Sequence, residues 1–242
     1  MTSDDVINKN DSSVISTIQR NDFVELKYTG YTNNQVFDSN VEEDLKTLNP
    51  NEKPRETVIC VGQRMVIEGL DNAIEGKELN KDYELEIKPK EAFGERDRNL
   101  VKTIPLNIFL EKRIDPRPGM VLMMDNSVVK VITVSGARVI TDFNNPLAGK
   151  TVKYKFKIIK KVGDEKEKCK ALFEYFFRFV PEFEIKEKII VRGKKEIGFL
   201  VQAFSEKFKK ILGKDIIFEE VQEDSKKEDK NEQVENKSDK QV

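Results

Sequence analysis

The chain has 242 residues, 38% of them hydrophobic and 36% charged, with 43 basic against 44 acidic side chains. That content supports a core, and the near-zero balance argues against phosphate attraction as the main binding force, so no nucleic-acid partner is expected. Histidine is absent, which excludes Ser-His and Cys-His triads and imidazole metal ligands. Cys60 and Cys169 are too few and too far apart for a disulfide framework or a zinc site and read as reduced, packed thiols. No cofactor and no metal site is expected.

Residues 1–20 are polar and lack a sustained period, which predicts a mobile arm. No apolar stretch there suits a signal peptide, and no run of about 18 apolar residues occurs anywhere. A soluble, cytoplasmic protein without a membrane partner is the expectation. From Phe23, the residues Val24, Leu26 and Tyr28 alternate with polar ones, the period of a half-buried strand. A second strand is predicted over 57–61. Val66, Ile67, Leu70, Ala73 and Ile74 fall at helical spacing, with Gly76 as the stop. Tyr83, Leu85 and Ile87 alternate again, as do Val152, Tyr154, Phe156 and Ile158 much later.

Between these strands, residues 105–110 predict a helical turn. Strands are predicted over 120–124, 128–134 and 137–143, with turn signals at Asp125-Asn126 and Ser135-Gly136. This small β block precedes the 152–158 strand, so it is inserted into the first domain. Further on, Cys169, Leu172, Phe173, Phe176, Phe177 and Val180 form one helix face stopped by Pro181. A strand over 183–191 is predicted to turn at Arg192-Gly193. A second helix carries Leu200, Ala203, Phe204, Phe208, Ile211 and Leu212, closed by Gly213. A last strand over 216–221 gives the order α-β-β-α-β, a small α+β domain. From residue 223 to the end the chain is almost entirely polar and predicts a disordered tail.

Specific strings sharpen this outline. KYTGY at 27–31, FDSN at 37–40, VGQRMVIEGL at 61–70, KPKEAFG at 88–94 and TVKYKFKII at 151–159 occur in order. Together they resemble FKBP-type peptidyl-prolyl cis/trans isomerases, with Gly62, Val66-Ile67 and Gly69 placed as in that family's G-x-x-x-V-I-x-G segment. Ala92-Phe93-Gly94 is followed by NLVKTIP at 99–105, and NNPLAG at 144–149 resembles the return segment of the SlyD-like branch with an insert-in-flap domain. The further C-terminal block looks like the long archaeal-type form.

The resemblance implies an α+β fold: an FKBP-like antiparallel sheet wrapped on a short helix, an inserted small β domain, and a C-terminal α+β domain. Its expected bounds are 21–94 with 146–162 for the isomerase domain, 95–145 for the insert, 163–222 for the C-terminal domain and 223–242 for the tail. It implies a prolyl pocket with Leu70 as floor and Tyr28, Phe37, Val66, Phe93 and Tyr154 as walls. The Ile67 N–H would donate to a substrate carbonyl, and Asp38 with the Tyr28 hydroxyl would bias the amide. The expected partners are unfolded or partly folded proline-containing polypeptides, captured chaperone-fashion by the insert, and a second copy bound through residues 164–221.

Each assignment has a plainer rival: Val66, Ile67 and Leu70 also form a helix core face, Tyr28 and Tyr154 are ordinary strand residues, and Asp38 suits a turn. Leu70 stands where many members have tryptophan, Phe93 where many have tyrosine, Tyr154 where phenylalanine is common, and Asn145 where the return motif has histidine. Leu70 and Phe93 motivate an alternative, a holdase with the FKBP fold and little turnover. A third reading is an interaction scaffold working through the phenylalanine-rich C-terminal block.

Overall fold

The computed structural model describes residues 17–124 and 126–221. Most of the expected arm, the expected tail and Asp125 lie outside them. The chain divides into two compact units, Met1–Lys168 and Cys169–Val242.

The first unit is built on a five-stranded antiparallel sheet. Strand β1 (Phe23–Thr32) is flanked along its length by β9 (Val152–Lys161), which in turn pairs with β4 (Asp82–Ile87). On its other side β1 pairs first with β3 (Thr57–Cys60) and then with β2 (Gln35–Ser39). The alternating residues of β1, β4 and β9 face helix α2 (Glu68–Ile74). Leu70 and Ile74 of that helix are buried with Val24, Leu26, Ile59, Ile87, Phe156 and Ile158. Each such aliphatic side chain contributes about 1.5–3 kcal/mol on leaving water. Gly69 lets helix and sheet approach closely, because a Cβ there would lie 2.4 Å from Ile87 Cγ2.

The change of partner along β1 leaves its Leu26–Tyr28 backbone without a continuous neighbour. Asn40 fills the gap. Its amide donates to Leu26 O at 2.7 Å and Thr57 Oγ1 at 2.9 Å, and its Oδ1 accepts the Tyr28 N–H at 2.8 Å. Its own N–H donates to Tyr28 O at 3.2 Å. After it comes helix α1 (Glu42–Leu48), anchored by Asp44, which accepts from Thr29 Oγ1 at 2.6 Å.

Three features differ from the sequence expectation in this unit. Of residues 17–20, expected in the mobile arm, Ile18 belongs to the core. Ile18 is 1% exposed, its N–H donates to Lys77 O, and its carbonyl accepts from Gly76 N–H. Strand β2 and helix α1 were not expected. The buried Cys60 donates its thiol to Asn21 O at 3.7 Å; burial, helped by nearby Asp71, pushes its pKa up to about 12.

Within this unit a separate four-stranded antiparallel sheet has the order β5-β8-β7-β6, with β5 at Val101–Pro105, β6 at Val121–Met124, β7 at Ser127–Ser135 and β8 at Arg138–Asp142. Helix α3 (Leu106–Glu111) follows β5, and Phe109 joins Met124, Val129, Val131 and Val139 in a small core. Three of these strands were predicted and β5 was not. The methionines divide: Met124 is in the core, whereas Met123 is 65% exposed on the edge strand.

The division into two units falls within helix α4 (Glu165–Phe177). The second unit contains β10 (Glu182–Ile185), β11 (Ile189–Gly193), helix α5 (Lys195–Leu212) and β12 (Ile216–Glu220). Strands β10 and β11 are antiparallel; β11 and β12 are parallel, joined by α5. The element order matches the expectation, but the hairpin turns at residues 186–188, where Lys186 N–H donates to Lys188 O, and not at Arg192-Gly193. Arg192 and Gly193 instead finish β11 ahead of α5. Gly213 ends α5 in the left-handed conformation, φ 72°. Phe173 sits among Phe177, Phe183 and Phe208 at ring distances of 5.0–5.1 Å. Among the described residues no helix is long and apolar enough to cross a membrane.

Asn40→Ala strips partners from Leu26 O and the Tyr28 N–H at a buried position. It should cost about 2–3 kcal/mol in urea unfolding. Asn40→Asp keeps the acceptor for Tyr28 but loses both donors and should also destabilise. A change under about 0.5 kcal/mol in either, the range of a neutral surface substitution, would show that the joint in β1 is not a structural requirement.

Candidate active site

Aromatic side chains from four separate segments gather against the sheet. Tyr28 comes from β1, Phe37 from β2, Tyr154 from β9, and Phe93 from the turn after a 3-10 turn at Pro89–Glu91. Tyr28 and Tyr154 have ring centroids 6.0 Å apart. Phe37 meets Tyr154 edge-on at 5.8 Å and Phe93 edge-on at 5.6 Å. Such edge-to-face contacts fix ring orientation as well as burying area. Gly30 makes the arrangement fit, since a Cβ there would lie 2.7 Å from Phe37 Cζ and 3.1 Å from Tyr154 Cζ.

Leu70 and Tyr154 are in the buried core cluster, and Tyr28, Phe37, Val66, Ile67 and Phe93 pack against it partly exposed. Val66 and Ile67 are delivered by the turn leading into α2. Gly62 and Arg64 there have φ of 80° and 56°. The buried Asp71 carboxylate of α2 accepts both of their N–H groups, at 2.8 and 2.7 Å. Ile67 is the N-cap of α2, so its own N–H lies ahead of the helical ladder.

Asp38, opposite Gly30 in the β1–β2 pairing, is the charged group of the cluster. Burial raises its pKa above the ordinary aspartate value, partly countered by hydrogen bonds from the Tyr28 hydroxyl and the Ser39 N–H. Burial and the Asp38 charge push the Tyr28 phenol well up, so it stays a neutral donor. Tyr154 is raised in the same way, first by burial and then by Asp38. Of the eight residues singled out in the sequence, Tyr28, Phe37, Phe93 and Tyr154 are linked by ring contacts, Asp38 is bonded to the Tyr28 hydroxyl, and Val66, Ile67 and Leu70 belong to the same domain core.

Sequence reasoning missed Gly30 and Asn40. Both lie inside quoted strings, KYTGY and FDSN, but their roles depend on neighbours distant in sequence. Asp71 was likewise unread; a carboxylate four residues after the helix N-cap was its only signal. Among the described residues no group of three His, Cys, Asp or Glu is placed to hold a metal.

A twisted antiparallel sheet closed on one short helix, with an aromatic cleft and one hydrogen-bonded carboxylate, defines a prolyl isomerase of the FKBP class. The sequence profile described as FKBP-type peptidyl-prolyl cis-trans isomerase matches residues 15–111, and that described as FKBP26, IF domain matches residues 102–147. A short-type peptidyl-prolyl cis-trans isomerase of Methanocaldococcus jannaschii is 30% identical over 148 residues, covering 60% of this chain and 94% of that protein. The SlyD isomerase of Helicobacter pylori is 26% identical over 150 residues, 60% of this chain and 74% of the relative. The SlyD isomerase of Aeromonas hydrophila is 32% identical over 99 residues, 40% of this chain and 47% of the relative, so the chain spans about half of that protein's length. The chain belongs to the FKBP-type peptidyl-prolyl cis-trans isomerase family and carries an insert-in-flap region.

Because burial raises the Asp38 pKa, the acid limb of kcat/KM should have its midpoint above the ordinary aspartate value, and Asp38→Asn should remove that limb. The sign for stability follows from the same shift. The folded carboxyl holds its proton more tightly than the unfolded one. This group therefore adds stability as pH falls through its raised pKa towards the ordinary value. A pH–rate profile unchanged by Asp38→Asn would remove Asp38 from the reaction.

Proposed function

We propose that the chain turns over prolyl peptide bonds in the aromatic cleft and that its insert captures unfolded clients for that cleft. A prolyl amide rotates over a barrier of about 18–20 kcal/mol, with no bond broken and no proton moved. The planar amide is resonance-polarised and favoured by water. A dry apolar cleft disfavours that polarised form relative to the twisted one, which is catalysis by differential binding. The absence of histidine is no obstacle to this chemistry.

In this reading Leu70 lies beneath the proline ring, and Tyr28, Phe37, Val66, Phe93 and Tyr154 enclose it. The Ile67 N–H takes a substrate carbonyl. Asp38, held by the Tyr28 hydroxyl, biases the amide as it twists. The observation that carries the reading is the edge-to-face chain of Tyr154, Phe37 and Phe93 beside a half-buried carboxylate.

Capture is supported by the outer face of the insert sheet. Val121 and Met123 on β6 are 60% and 65% exposed, with Val128 and Ile132 of β7 also exposed on that face. Strand β6 is a sheet edge able to accept an extended segment. The second unit exposes Phe199, Phe179 and Val180, which supports a homodimer through residues 164–221. The burial of both Cys60 and Cys169 agrees with a reducing, cytoplasmic setting.

In a protease-coupled assay on a proline tetrapeptide, Asp38→Ala and Tyr28→Phe should each lower kcat/KM, the former about tenfold, as expected for a lost bond to a charged group. Wild-type values for both would empty the cleft of its assigned chemistry. Replacing 95–145 by a short linker should keep tetrapeptide turnover but weaken catalysis of proline-limited refolding. Equal loss on both would mean that the insert shapes the cleft itself. The full chain should sediment as a dimer at micromolar concentration and a 1–163 truncation as a monomer; a monomeric full chain refutes the dimer.

A further inference from the structure

The chain passes between cleft and insert twice, outward over residues 94–100 and back over 142–149. The two passages are cross-linked along their length. At the cleft end Gly149 N–H donates to Gly94 O at 2.9 Å, and at the insert end Phe143 N–H donates to Leu100 O at 3.0 Å. Between these rungs the link is a side chain. The Asn144 amide accepts the Asp97 N–H and donates to the Asp97 carbonyl, both at 2.9 Å. That is the pair of bonds a neighbouring strand would make.

Asn144 is itself held. Its Nδ2 and its backbone N–H both donate to Asp142 Oδ1, at 2.7 and 3.0 Å. The other Asp142 oxygen takes the Arg96 guanidinium. Asp142 and Asn144 are 8% and 7% exposed, so the bonds between them are sheltered from water, whereas the Arg96 side chain is about half exposed. Burial opposes the Asp142 charge, but the Asn144 donors and the Arg96 guanidinium outweigh it and leave its pKa below the ordinary value. The network thus ends on a stable anion at neutral pH, and its first rung begins at Gly94, next to Phe93.

We propose that Asn144, with Asp142 and Arg96, forms a clasp that holds the insert in one orientation against the prolyl cleft, making these three positioning residues for turnover of protein clients. The proposal rests on the capture reading above. A client bound to the insert meets the cleft at an effective concentration set by the geometry of the connection. Two unlinked passages would let the insert swivel and spread the client over a larger volume. A clasped pair keeps it in reach of the walls at Phe93 and Phe37. A small peptide never visits the insert and is indifferent to the clasp.

The test uses the full chain with spin labels at Lys27→Cys on the sheet and Arg138→Cys on the insert, both exposed, the native cysteines being buried. Asn144→Ala, and the isosteric Asn144→Asp that sets a second carboxylate beside Asp142, should broaden the distance distribution. Catalysis of proline-limited refolding should fall about tenfold, a loss typical of misplaced reacting groups. Tetrapeptide kcat/KM and affinity for a permanently unfolded protein should change by less than about twofold, since neither depends on relative placement. Arg96→Ala, which spares the Asn144 amide, should give a smaller loss of the same kind.

An unbroadened distribution, or full refolding activity with a broadened one, overturns the proposal. If Asn144→Ala unfolds the insert, seen as lost client affinity, Arg96→Ala decides: the same split between protein and peptide substrates supports the clasp, and no split overturns it. Wild-type protein that fails to bind an unfolded client sinks the capture reading and the clasp with it. Intact capture without the split sinks the clasp alone.

Discussion

A single buried amide, that of Asn40, joins two strands that cannot both reach the same stretch of β1. Strand β1 runs unbroken along β9, but its other edge is shared between β3 and β2. Without a substitute partner the Leu26 carbonyl and the Tyr28 N–H would be desolvated and unpaired, which folded proteins rarely tolerate. The Asn40 side chain supplies both partners. Where the neighbours change, β2 takes over from β3, and Asp38, two residues before Asn40, accepts from the Tyr28 hydroxyl. Pocket geometry thus follows from a backbone hydrogen-bonding requirement.

Around that joint the cleft is assembled by close approach. Gly30 admits the Phe37 and Tyr154 rings over β1, Gly69 admits α2 against Ile87, and Asp71 holds the turn that presents Val66 and Ile67. The ring positions are therefore set by backbone and glycine, while Leu70, in the same core, is aliphatic and carries no polar atom. Phe93 offers an edge to Phe37 but no hydroxyl, so the polar side-chain groups among the eight candidate residues are the Asp38 carboxyl and the Tyr28 and Tyr154 hydroxyls.

Much of this was legible in the sequence because burial imposes its period on strands. Strands β1, β4 and β9 and helix α2 all show theirs, and Gly213 marks the end of α5 as it should. The eight candidate residues could be singled out because the strings that carry them keep order across the chain. What stayed hidden had weak local signals. Strand β2 is five residues, four of them exposed or half-buried; α1 buries only Leu45; β5 has no buried residue, and only its Ile104 packs on the insert core. In the second unit Arg192-Gly193 looks like a turn, while the real one at 186–188 has lysine and glutamate where glycine or asparagine would announce it. Gly30, Asn40 and Asn144 could not be read at all, because each answers to residues distant along the chain.

The sealed position of Cys60 has a bearing on the company such a protein keeps. A sulfhydryl that yields its proton only near pH 12 supplies almost no thiolate at neutral pH, and thiolate is the species that attacks disulfides. Cys169 is buried as well. With both sulfhydryls sealed in this way, the chain resists being drawn into mixed disulfides and stays outside thiol–disulfide exchange.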